Sequence, residues 1–442
     1  MKRVLIVGGG LSGCEAAWQL ADRGVDVHLL EMRPKNPTEA HRTGDLAEIV
    51  CSNSFKSTLV QTASGLLKAE VDILGCRLLK TARDSAVPAG HALAVDRGLF
   101  AQTVTAALEA SPRVAVERKR QDDLDVTLPA IIATGPLTAV ELSKALEHRC
   151  SSDHLYFYDA IAPSVEADSI DPNVGYYASR YDKGGADYLN IPLTKEEYER
   201  LITRIRAAQL VEPHAFEERK YFEACLPIEV MVERGEDTPR FGPLRPIGLP
   251  DPRTGVEPYA VIQLRQETRS GTLLGLVGFQ TRMTYPAQQE VIRSLPGFDR
   301  ARILRYGSIH RNIFLNIPAL CDPYQRDRKS RGLFYAGQIC GVEGYVECIS
   351  SGLVAALAVF ADLCERAIPE LPEETMIGSL MNHIHTPCDD FQPMNANMGI
   401  LPAQGNRKGG RSIRYREAAE RAVSAMRRYR EANPWLFESR LR

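Results

Sequence analysis

The sequence predicts an α/β fold in which a Rossmann-like domain is interrupted by a smaller, inserted α+β domain. Three observations lead to this prediction. The N-terminus reads as strand, glycine-rich turn, helix and strand, and a second strand–glycine–helix pattern begins near residue 333. Between about residues 160 and 307 the chain changes character, with many prolines and glycines and mixed strand patterns.

The N-terminal pattern is a βαβ unit of about 30 residues. Val4–Val7 is a short β-branched run typical of a buried strand, and it is too short for the apolar core of a signal peptide. Cys14–Arg23 has helical composition and is followed by a glycine stop. Val25–Leu30 then predicts a second strand that ends at Glu31.

The turn between the first strand and the helix has the dinucleotide fingerprint G-x-G-x-x-G. Gly8 permits the tight turn, Gly10 lets the backbone approach a pyrophosphate, and Gly13 allows close helix–strand packing. Glu31 lies eighteen residues beyond Gly13, where its carboxylate can accept hydrogen bonds from a ribose. We expect the whole turn to bind the cofactor, through Gly8, Gly9, Gly10, Leu11, Ser12 and Gly13.

The fingerprint alone does not distinguish FAD from NAD. FAD is favoured by the second nucleotide-site pattern, where the strand Leu333–Ala336 precedes the glycine-rich turn Gly337–Gly344 and the helix Cys348–Cys364. A flavin is long, and backbone N–H groups of a second turn can stabilise the charge of its reduced ring. Thr134 and Gly135, after a strand at Pro129–Ala133, fit a third contact.

The predicted domains are a first part of the FAD-binding domain at residues 1–160, an insertion domain at 161–305, and a second part at 306–442. The tail from Asn406 to Arg442 holds ten arginines and one lysine against four glutamates, and Arg414–Arg430 predicts a basic helix. This helix and the run Arg326, Arg328, Lys329 and Arg331 could contact RNA phosphates or simply be solvated.

Composition restricts the class of protein. The formal net charge of the 442 residues is −2, so a nucleic-acid partner needs a local basic patch. None of the ten cysteines lies in a C-x-x-C pair or at zinc-finger spacing, which predicts no metal site. Free thiols and the lack of a secretion signal predict a cytoplasmic protein. The longest later apolar run, Gly352–Ala361, is too short to span a membrane.

Several longer motifs are more specific, and they occur in this order: Ala47-Glu48-Ile49-Val50-Cys51-Ser52-Asn53-Ser54, Phe222-Glu223-Ala224-Cys225-Leu226-Pro227-Ile228-Glu229, Val277-Gly278-Phe279-Gln280-Thr281, Tyr306-Gly307 with His310-Arg311-Asn312, Gly341-Val342-Glu343-Gly344-Tyr345, and Phe391-Gln392-Pro393-Met394-Asn395-Ala396-Asn397. Together they resemble the bacterial folate- and FAD-dependent tRNA (uracil-5-)-methyltransferase family. The resemblance runs from Met1 to at least Pro402 and implies a GidA-like FAD-binding fold.

This resemblance implies the reaction. The carbon donor would be 5,10-methylene-tetrahydrofolate, reduced FAD would be carrier and reductant, and C5 of a T-loop uridine (position 54) of tRNA would be methylated. NAD(P)H is the implied electron donor, although no site for it is visible in the sequence. The resemblance does not fix the oligomeric state, and ribosomal RNA is the alternative target to tRNA.

The resemblance also implies roles for individual residues. Cys225 is the preferred nucleophile for uracil C6, and Cys51 would protect the flavin-bound methylene or assist proton removal at C5; the opposite assignment is also open. His310 is expected to stack on the folate pterin, and Tyr345, like Gly337 and Gly344, to lie near the flavin. Arg97 is expected to contact cofactor or RNA.

Three alternatives compete with this hypothesis. A GidA-like wobble-uridine enzyme shares the C-terminal FAD segment but is a much longer protein with a helical domain for a partner GTPase. A small-molecule flavin oxidoreductase would need its own NAD(P)H fingerprint, and the sequence has no second G-x-G-x-x-G. A non-catalytic RNA-binding flavoprotein would keep FAD for folding only, and cysteine substitutions would distinguish it from an enzyme.

Overall fold

The computed structural model describes residues 3–150, 155–182, 185–211, 221, 226–388, 391–402 and 410–438. Within these residues the chain forms sixteen strands and fourteen α-helices. The strands are β1 Arg3–Val7, β2 Asp26–Leu30, β3 Ser54–Ser57, β4 Ala86–Val87, β5 Ala92–Val95, β6 Val114–Glu117, β7 Ala130–Ile132, β8 Leu155–Ile161, β9 Ser164–Glu166, β10 Tyr176–Ala178, β11 Tyr188–Leu193, β12 Ala260–Gln266, β13 Leu273–Leu276, β14 Ile303–Arg305, β15 Ser308–Phe314 and β16 Leu333–Tyr335. The helices are α1 Leu11–Asp22, α2 Ala63–Ile73, α3 Leu78–Asp84, α4 Arg97–Glu109, α5 Val140–Cys150, α6 Lys195–Ala207, α7 Ile228–Arg234, α8 Thr238–Phe241, α9 Tyr285–Arg293, α10 Ile317–Leu320, α11 Tyr345–Leu363, α12 Met376–His385, α13 Arg411–Ala432 and α14 Pro434–Glu438.

A five-stranded parallel sheet, in the order β16-β7-β1-β2-β6, forms the centre of the Rossmann-like part. In its register Val7 lies beside both Leu30 and Ile132, and Ile132 lies beside Tyr335. The carboxyl ends of four strands therefore meet at one edge, which is where α/β sheets bind their ligands. This register brings the three predicted cofactor-binding turns together, although more than 300 residues separate the first from the last. The predicted α/β, Rossmann-like fold with an inserted α+β part is confirmed.

Helix α11 packs along α1 on one face of this sheet. The contact is very close, because a Cβ at Gly352 would lie 2.2 Å from the backbone oxygen of Ser12. Helix α11 is long and apolar enough to cross a membrane, but 94% of its apolar window is buried inside the protein. Its composition is thus explained by its position in the core, where Ile349, Leu353 and Phe360 are fully buried.

The inserted part is a six-stranded antiparallel sheet in the order β10-β11-β12-β13-β9-β14. Helices α6, α7 and α9 share a hydrophobic core with it. Helix α6 begins at a capping box in which Thr194 accepts from the Glu197 backbone N–H and Glu197 accepts from that of Thr194. Strand β13 ends at Leu276, two residues before Gly278, which takes a left-handed φ of +69°.

The chain enters and leaves the antiparallel sheet through a two-stranded ribbon. Strands β8 and β15 pair antiparallel from Ser308 opposite Ile161 to Phe314 opposite Leu155. Strand β8 leads into β9, and β15 follows β14. The ribbon therefore connects the two sheets, and the domain limits at residues 160 and 305 stay a prediction.

A buried carboxylate joins α2 to α12. Glu70, which has no exposed surface, accepts hydrogen bonds of 2.8 Å from the backbone N–H groups of both Met376 and Ile377. These are free N–H groups of the first turn of α12, so the side chain acts as a cap supplied by another helix. Burial raises the pKa of Glu70 from 4.5 to about 8 despite these two bonds.

Glu70 should make folding stability depend on pH. Because its pKa is higher in the folded state, the folded protein holds this proton more tightly, and stability should fall as the pH rises from about 5 to about 8. We expect Glu70→Gln to make this fall shallower in chemical denaturation series at several pH values. The matched control is Glu109→Gln, at an exposed ion pair with Arg118. An unchanged pH profile in the Glu70 variant would contradict this account.

Candidate active site

The glycine-rich turn has the geometry that its sequence predicts. Gly8 has a φ of +108°, and Gly10 is the N-cap of α1. A Cβ at Gly13 would lie 1.9 Å from the Gly8 carbonyl oxygen, so only glycine allows α1 to approach β1 this closely. A Cβ at Gly10, in contrast, would meet no atom within 4 Å. The open space at Gly10 faces a cleft and is where a pyrophosphate can approach the backbone.

This cleft brings together residues from all three predicted turns. Gly8, Gly9, Gly10, Leu11 and Ser12 form its floor, with Glu31 on one side and Thr134, Gly135, Gln338, Tyr345 and Cys348 on others. Gly337 and Gly344 are not part of the wall that the described residues form; with φ of +86° and +121° they shape the turn that presents Gln338 and Tyr345. A cleft whose wall includes a helix N-terminus and two further turns offers several contacts to a long cofactor such as FAD.

Glu31 is held more tightly than the sequence suggests. Its Oε2 accepts from Gly9 N at 2.9 Å and Arg33 Nη2 at 3.1 Å, and its Oε1 accepts from Arg33 N and Nε, both at 2.9 Å. Burial opposes ionisation, yet the hydrogen bonds and charge of Arg33 keep the pKa of Glu31 below its ordinary value. Because all four acceptor positions of the carboxylate are used, a ribose hydroxyl must share an oxygen with Arg33 or displace one of its N–H groups.

The loop that carries Cys51 is fixed by side chains from four elements. Arg97 donates to the carbonyl oxygens of Ile49 and Cys51 at 3.2 and 3.0 Å, and Arg305 donates to that of Val50. Arg265 donates through Nε to the Asn53 side chain and through Nη2 to the Ser52 hydroxyl. The hydroxyl of Tyr345 accepts from the Cys51 backbone N–H at 3.0 Å and donates to the Ser52 carbonyl oxygen at 2.8 Å.

These contacts put Cys51 beside the cofactor cleft. Tyr345 lines that cleft, and its hydroxyl holds the backbone on both sides of the Cys51 side chain. Burial raises the pKa of the Tyr345 phenol, so it stays neutral and can act as donor and acceptor at once. The partly buried Cys51 thiol also lines a second, smaller cavity, together with Arg97, Arg265, Glu267 and Gln280.

Of the three charged residues of this second cavity, Arg97 was expected from the sequence and comes from α4, whereas Arg265 and Glu267 come from the inserted part and were not predicted. Arg265 and Glu267 lie at the end of β12 and just after it, and Arg305 ends β14. Arg97 forms a 3.0 Å ion pair with Glu267, whose other oxygen accepts from the Ser164 hydroxyl. No local motif marks these residues, because only the contact of the inserted part with the Cys51 loop and α4 brings them to Cys51.

Cys225 and the start of its motif lie outside the described residues, whereas the end of the motif is described. The N–H of Ile228 donates to the Gln280 carbonyl oxygen at 2.7 Å. Glu229 is buried and accepts from the Thr281 hydroxyl at 3.0 Å and from Arg282 N at 2.6 Å. The second and third sequence motifs are therefore bound to each other, and Gln280 belongs to the cavity that Cys51 lines.

His310 is buried on β15 directly opposite Asp159 of β8. Its Nε2 lies 2.8 Å from the Ser308 hydroxyl, and its Nδ1 lies 3.7 Å from a carboxylate oxygen of Glu39. Burial lowers the pKa of His310, which favours the neutral ring that stacking on a pterin would use. In the described part of the chain His310 lies outside the wall of the FAD cleft.

The Phe391–Asn397 motif supports the second glycine turn. Met394 N donates to the Gly341 carbonyl oxygen, and Glu343 N donates to that of Met394. Ala396 N donates to Glu347 Oε1 at 3.1 Å. The ring of Phe391 fills the space where a Cβ of Gly341 would lie, at 2.6 Å. This motif thus contributes a backbone brace for the turn that presents Tyr345.

The basic segments are partly used inside the protein. One face of α13 is buried through Ala422, Met426 and Tyr429. Arg428 lies 3.6 Å from Glu374, and Arg326 pairs with Asp322 and Asp362. Arg328, Lys329 and Arg331 are exposed. Within the described residues, no group of three or more His, Cys, Asp or Glu side chains could hold a metal ion.

Comparison with known proteins identifies the family. A protein of Halalkalibacterium halodurans named methylenetetrahydrofolate–tRNA-(uracil-5-)-methyltransferase TrmFO is 46% identical over 425 residues, covering 96% of this chain and 98% of its own. A TrmFO of Koribacter versatilis is 47% identical and covers 99% of both chains. The chain belongs to the TrmFO family. A broader family model, described as Glucose inhibited division protein A, matches residues 3–366.

Solved structures support the fold of this TrmFO-family protein. A crystal structure of Aquifex aeolicus GidA superposes with a TM-score of 0.69 at 16% identity, covering 97% of this chain and 73% of GidA. At this identity the likeness shows the fold alone. It confirms the expectation of a GidA-like fold.

The open space at Gly10 gives a test of cofactor binding. We expect Gly10→Ala to fold normally, because a Cβ there meets nothing, but to bind FAD roughly tenfold or more weakly because the backbone can no longer approach the pyrophosphate. FAD titration followed by flavin fluorescence, together with thermal melting, measures both effects. Gly98→Ala, where a Cβ meets only Asp96 Oδ1 at 3.6 Å, is the matched control. Equal FAD affinity in the two variants would argue against this position for the cofactor.

Proposed function

We propose that this TrmFO-family protein uses 5,10-methylene-tetrahydrofolate and FAD to methylate C5 of a uridine in tRNA. The observation that carries the proposal is the direct hydrogen bonding of the Cys51 backbone to Tyr345, a residue of the FAD cleft wall. A thiol held at the ring end of a flavin cleft suits carbon transfer to a pyrimidine. Full-length identity of 46–47% to proteins named for this reaction supports the same function.

The residues present fit FAD. The open backbone at Gly10 and the N-terminus of α1 would hold the pyrophosphate, Glu31 the ribose, and the turn carrying Gln338 and Tyr345 the ring. When bound, FAD supplies the capacity to carry a one-carbon unit and to reduce it with a hydride. NAD(P)H is the proposed electron donor.

Two cysteines are the proposed catalytic residues. A thiolate adds to C6 of uracil, forming an S–C6 bond, and the C5=C6 electron pair moves toward O4, which makes C5 a nucleophile. After C5 gains its carbon, loss of the C5 proton and of the thiolate restores the ring. Cys225 is our preferred nucleophile and Cys51 the residue that assists at C5. The bonds of the segment that follows Cys225 support this pairing of the two cysteines. Ile228 and Glu229 are hydrogen-bonded to Gln280 and Thr281, and Gln280 lines the same cavity as Cys51.

The proposed target is the T-loop uridine at position 54 of tRNA in the cytoplasm. This base is stacked inside the folded loop, so it must turn out to reach a cavity. His310 is proposed to stack on the folate pterin. The exposed residues Arg328, Lys329 and Arg331 are proposed phosphate contacts, and added salt should then weaken RNA binding steeply.

Transfer of a labelled carbon tests the reaction directly. The purified protein, loaded with FAD, is incubated with an unmodified tRNA transcript, carbon-labelled 5,10-methylene-tetrahydrofolate and NADPH. We expect label in 5-methyluridine after nuclease digestion, located at position 54 by mass spectrometry of fragments. A transcript with cytidine at position 54 is the control. Label that stays in folate with FAD-loaded protein would refute the proposed function.

Substitution of the two cysteines tests their roles. We expect Cys51→Ala and Cys225→Ala each to lower methyl transfer by about 10³-fold or more while the protein keeps its FAD, since removing a nucleophile or its partner leaves little residual rate. Cys388→Ala, at an exposed cysteine, is the control and should transfer at the normal rate. If both site variants remain active, neither thiol is catalytic and a different nucleophile must be sought.

A further inference from the structure

The second cavity has the size of a single ring. It encloses about 150 Å³ and lies between the Cys51 loop and the end of the antiparallel sheet. An apolar protein cavity of about this volume accommodates benzene. Its wall combines the uncharged segments Ala162–Pro163 and Gly275–Gly278 with the charged residues Arg97, Arg265 and Glu267. Among the described residues, none lines both this cavity and the FAD cleft.

The three charged side chains present a distinctive hydrogen-bonding pattern. The charge of Arg97 keeps the pKa of Glu267 below its ordinary value against the effect of burial, so the carboxylate only accepts hydrogen bonds. Glu267 Oε1 accepts from Arg97 Nη2, and Glu267 Oε2 accepts from the Ser164 hydroxyl. Each oxygen has a second acceptor position. Arginine only donates, and each guanidinium has five N–H groups. Arg97 uses three of them on Ile49, Cys51 and Glu267, and Arg265 uses two on Asn53 and Ser52, so each keeps further Nη N–H groups.

We propose that this cavity binds the uracil ring of the target nucleotide, with Arg97, Glu267 and Arg265 acting as donor, acceptor and donor toward its Watson–Crick edge. That edge of uracil is acceptor, donor, acceptor: O2, N3–H and O4. The patterns are complementary, and a charged partner strengthens each bond. This inference rests on the proposed function and assigns to it the residues that select the base.

The pattern separates uracil from other rings. Cytosine has an acceptor at N3 and a donor at N4. Its N3 lone pair would face the Glu267 carboxylate, and its N4 amino group would face a guanidinium group, so neither pair could form a hydrogen bond. The pterin edge is acceptor, donor, donor and leaves its amino group against an arginine. The flavin edge has the same pattern as uracil, but FAD has its own cleft with a separate wall.

The charge balance of the cavity also suits the reaction. Arg97, Arg265 and Arg305 surround the Cys51 loop, and Glu267 is the carboxylate that pairs with Arg97. When a thiolate adds to C6, negative charge moves from sulfur to O4. A guanidinium already facing O4 would stabilise this charge without reorganisation, as a preorganised oxyanion site does.

The test measures binding of three RNA probes to the FAD-loaded full-length protein. The probes are T-arm stem–loops that carry uridine, 3-methyluridine or cytidine at the target position, and fluorescence anisotropy gives their Kd values. The wild-type protein should bind the uridine probe about tenfold or more tightly than either of the others, because each leaves a buried partner unsatisfied. Equal affinity for uridine and 3-methyluridine would overturn the proposal without any variant.

Glu267→Gln provides the second measurement. Its amide can turn an N–H toward N3 of cytosine, so the preference for uridine over cytidine should shrink or reverse while flavin content stays normal. The matched control is Glu166→Gln in the same sheet, where the carboxylate pairs with Arg302 near the surface, and it should keep the wild-type preference. An unchanged preference in the Glu267 variant, or loss of FAD from it, would overturn the assignment of this cavity to the base.

The labelled-carbon assay on the uridine probe separates this inference from the proposed function. If the wild-type protein transfers label but does not discriminate among the probes, the base site is wrong and the function stands. If no label reaches uridine, the proposed function fails and this inference fails with it.

Discussion

The close approach of α1 to β1 and α11 sets the geometry on which the rest of the molecule depends. At Gly13 and Gly352 a single added carbon would lie about 2 Å from a backbone oxygen, at 1.9 and 2.2 Å respectively. Because glycine occupies both positions, the N-terminus of α1 lies against the carboxyl edge of the parallel sheet, and α11 packs closely along α1. The cleft floor, the turn that presents Tyr345 and the position of Ser12 all follow from this packing.

Buried charge connects this cleft to the inserted part. Removing guanidinium and carboxylate groups from water costs free energy, which a bare ion pair seldom recovers. Here the charges also satisfy the backbone carbonyl oxygens of the Cys51 loop, so each arginine has several partners. The Arg97–Glu267 pair thus joins α4 of the Rossmann-like part to the end of β12, and any movement between the parts would disturb the Cys51 loop.

The C-terminal segments serve the fold as well as any RNA. The Phe391–Asn397 stretch braces the second glycine turn through backbone hydrogen bonds, and α13 covers α2 with an alanine-rich face. An arginine-rich composition therefore says little about how many arginines remain available for phosphates, since Arg326 and Arg428 pair with carboxylates of the same chain. Which arginines remain available for phosphates depends on which face of each segment packs against the protein core.

The sequence by itself determined the local parts: the βαβ unit, the glycine turn and its open position at Gly10, and the motifs that mark the family. These depend on contacts within about 30 residues or on residue types with special backbone freedom, so a single chain segment carries the information. Only the tertiary structure decided that Glu31 is held by Arg33 and that Arg265, Glu267 and Arg305 surround Cys51. Arg265, Glu267 and Arg305 lie more than 200 positions from the thiol, so no local pattern relates them to it. They come together when packing of the inserted part against the Cys51 loop removes water, and each buried charge must then be paired.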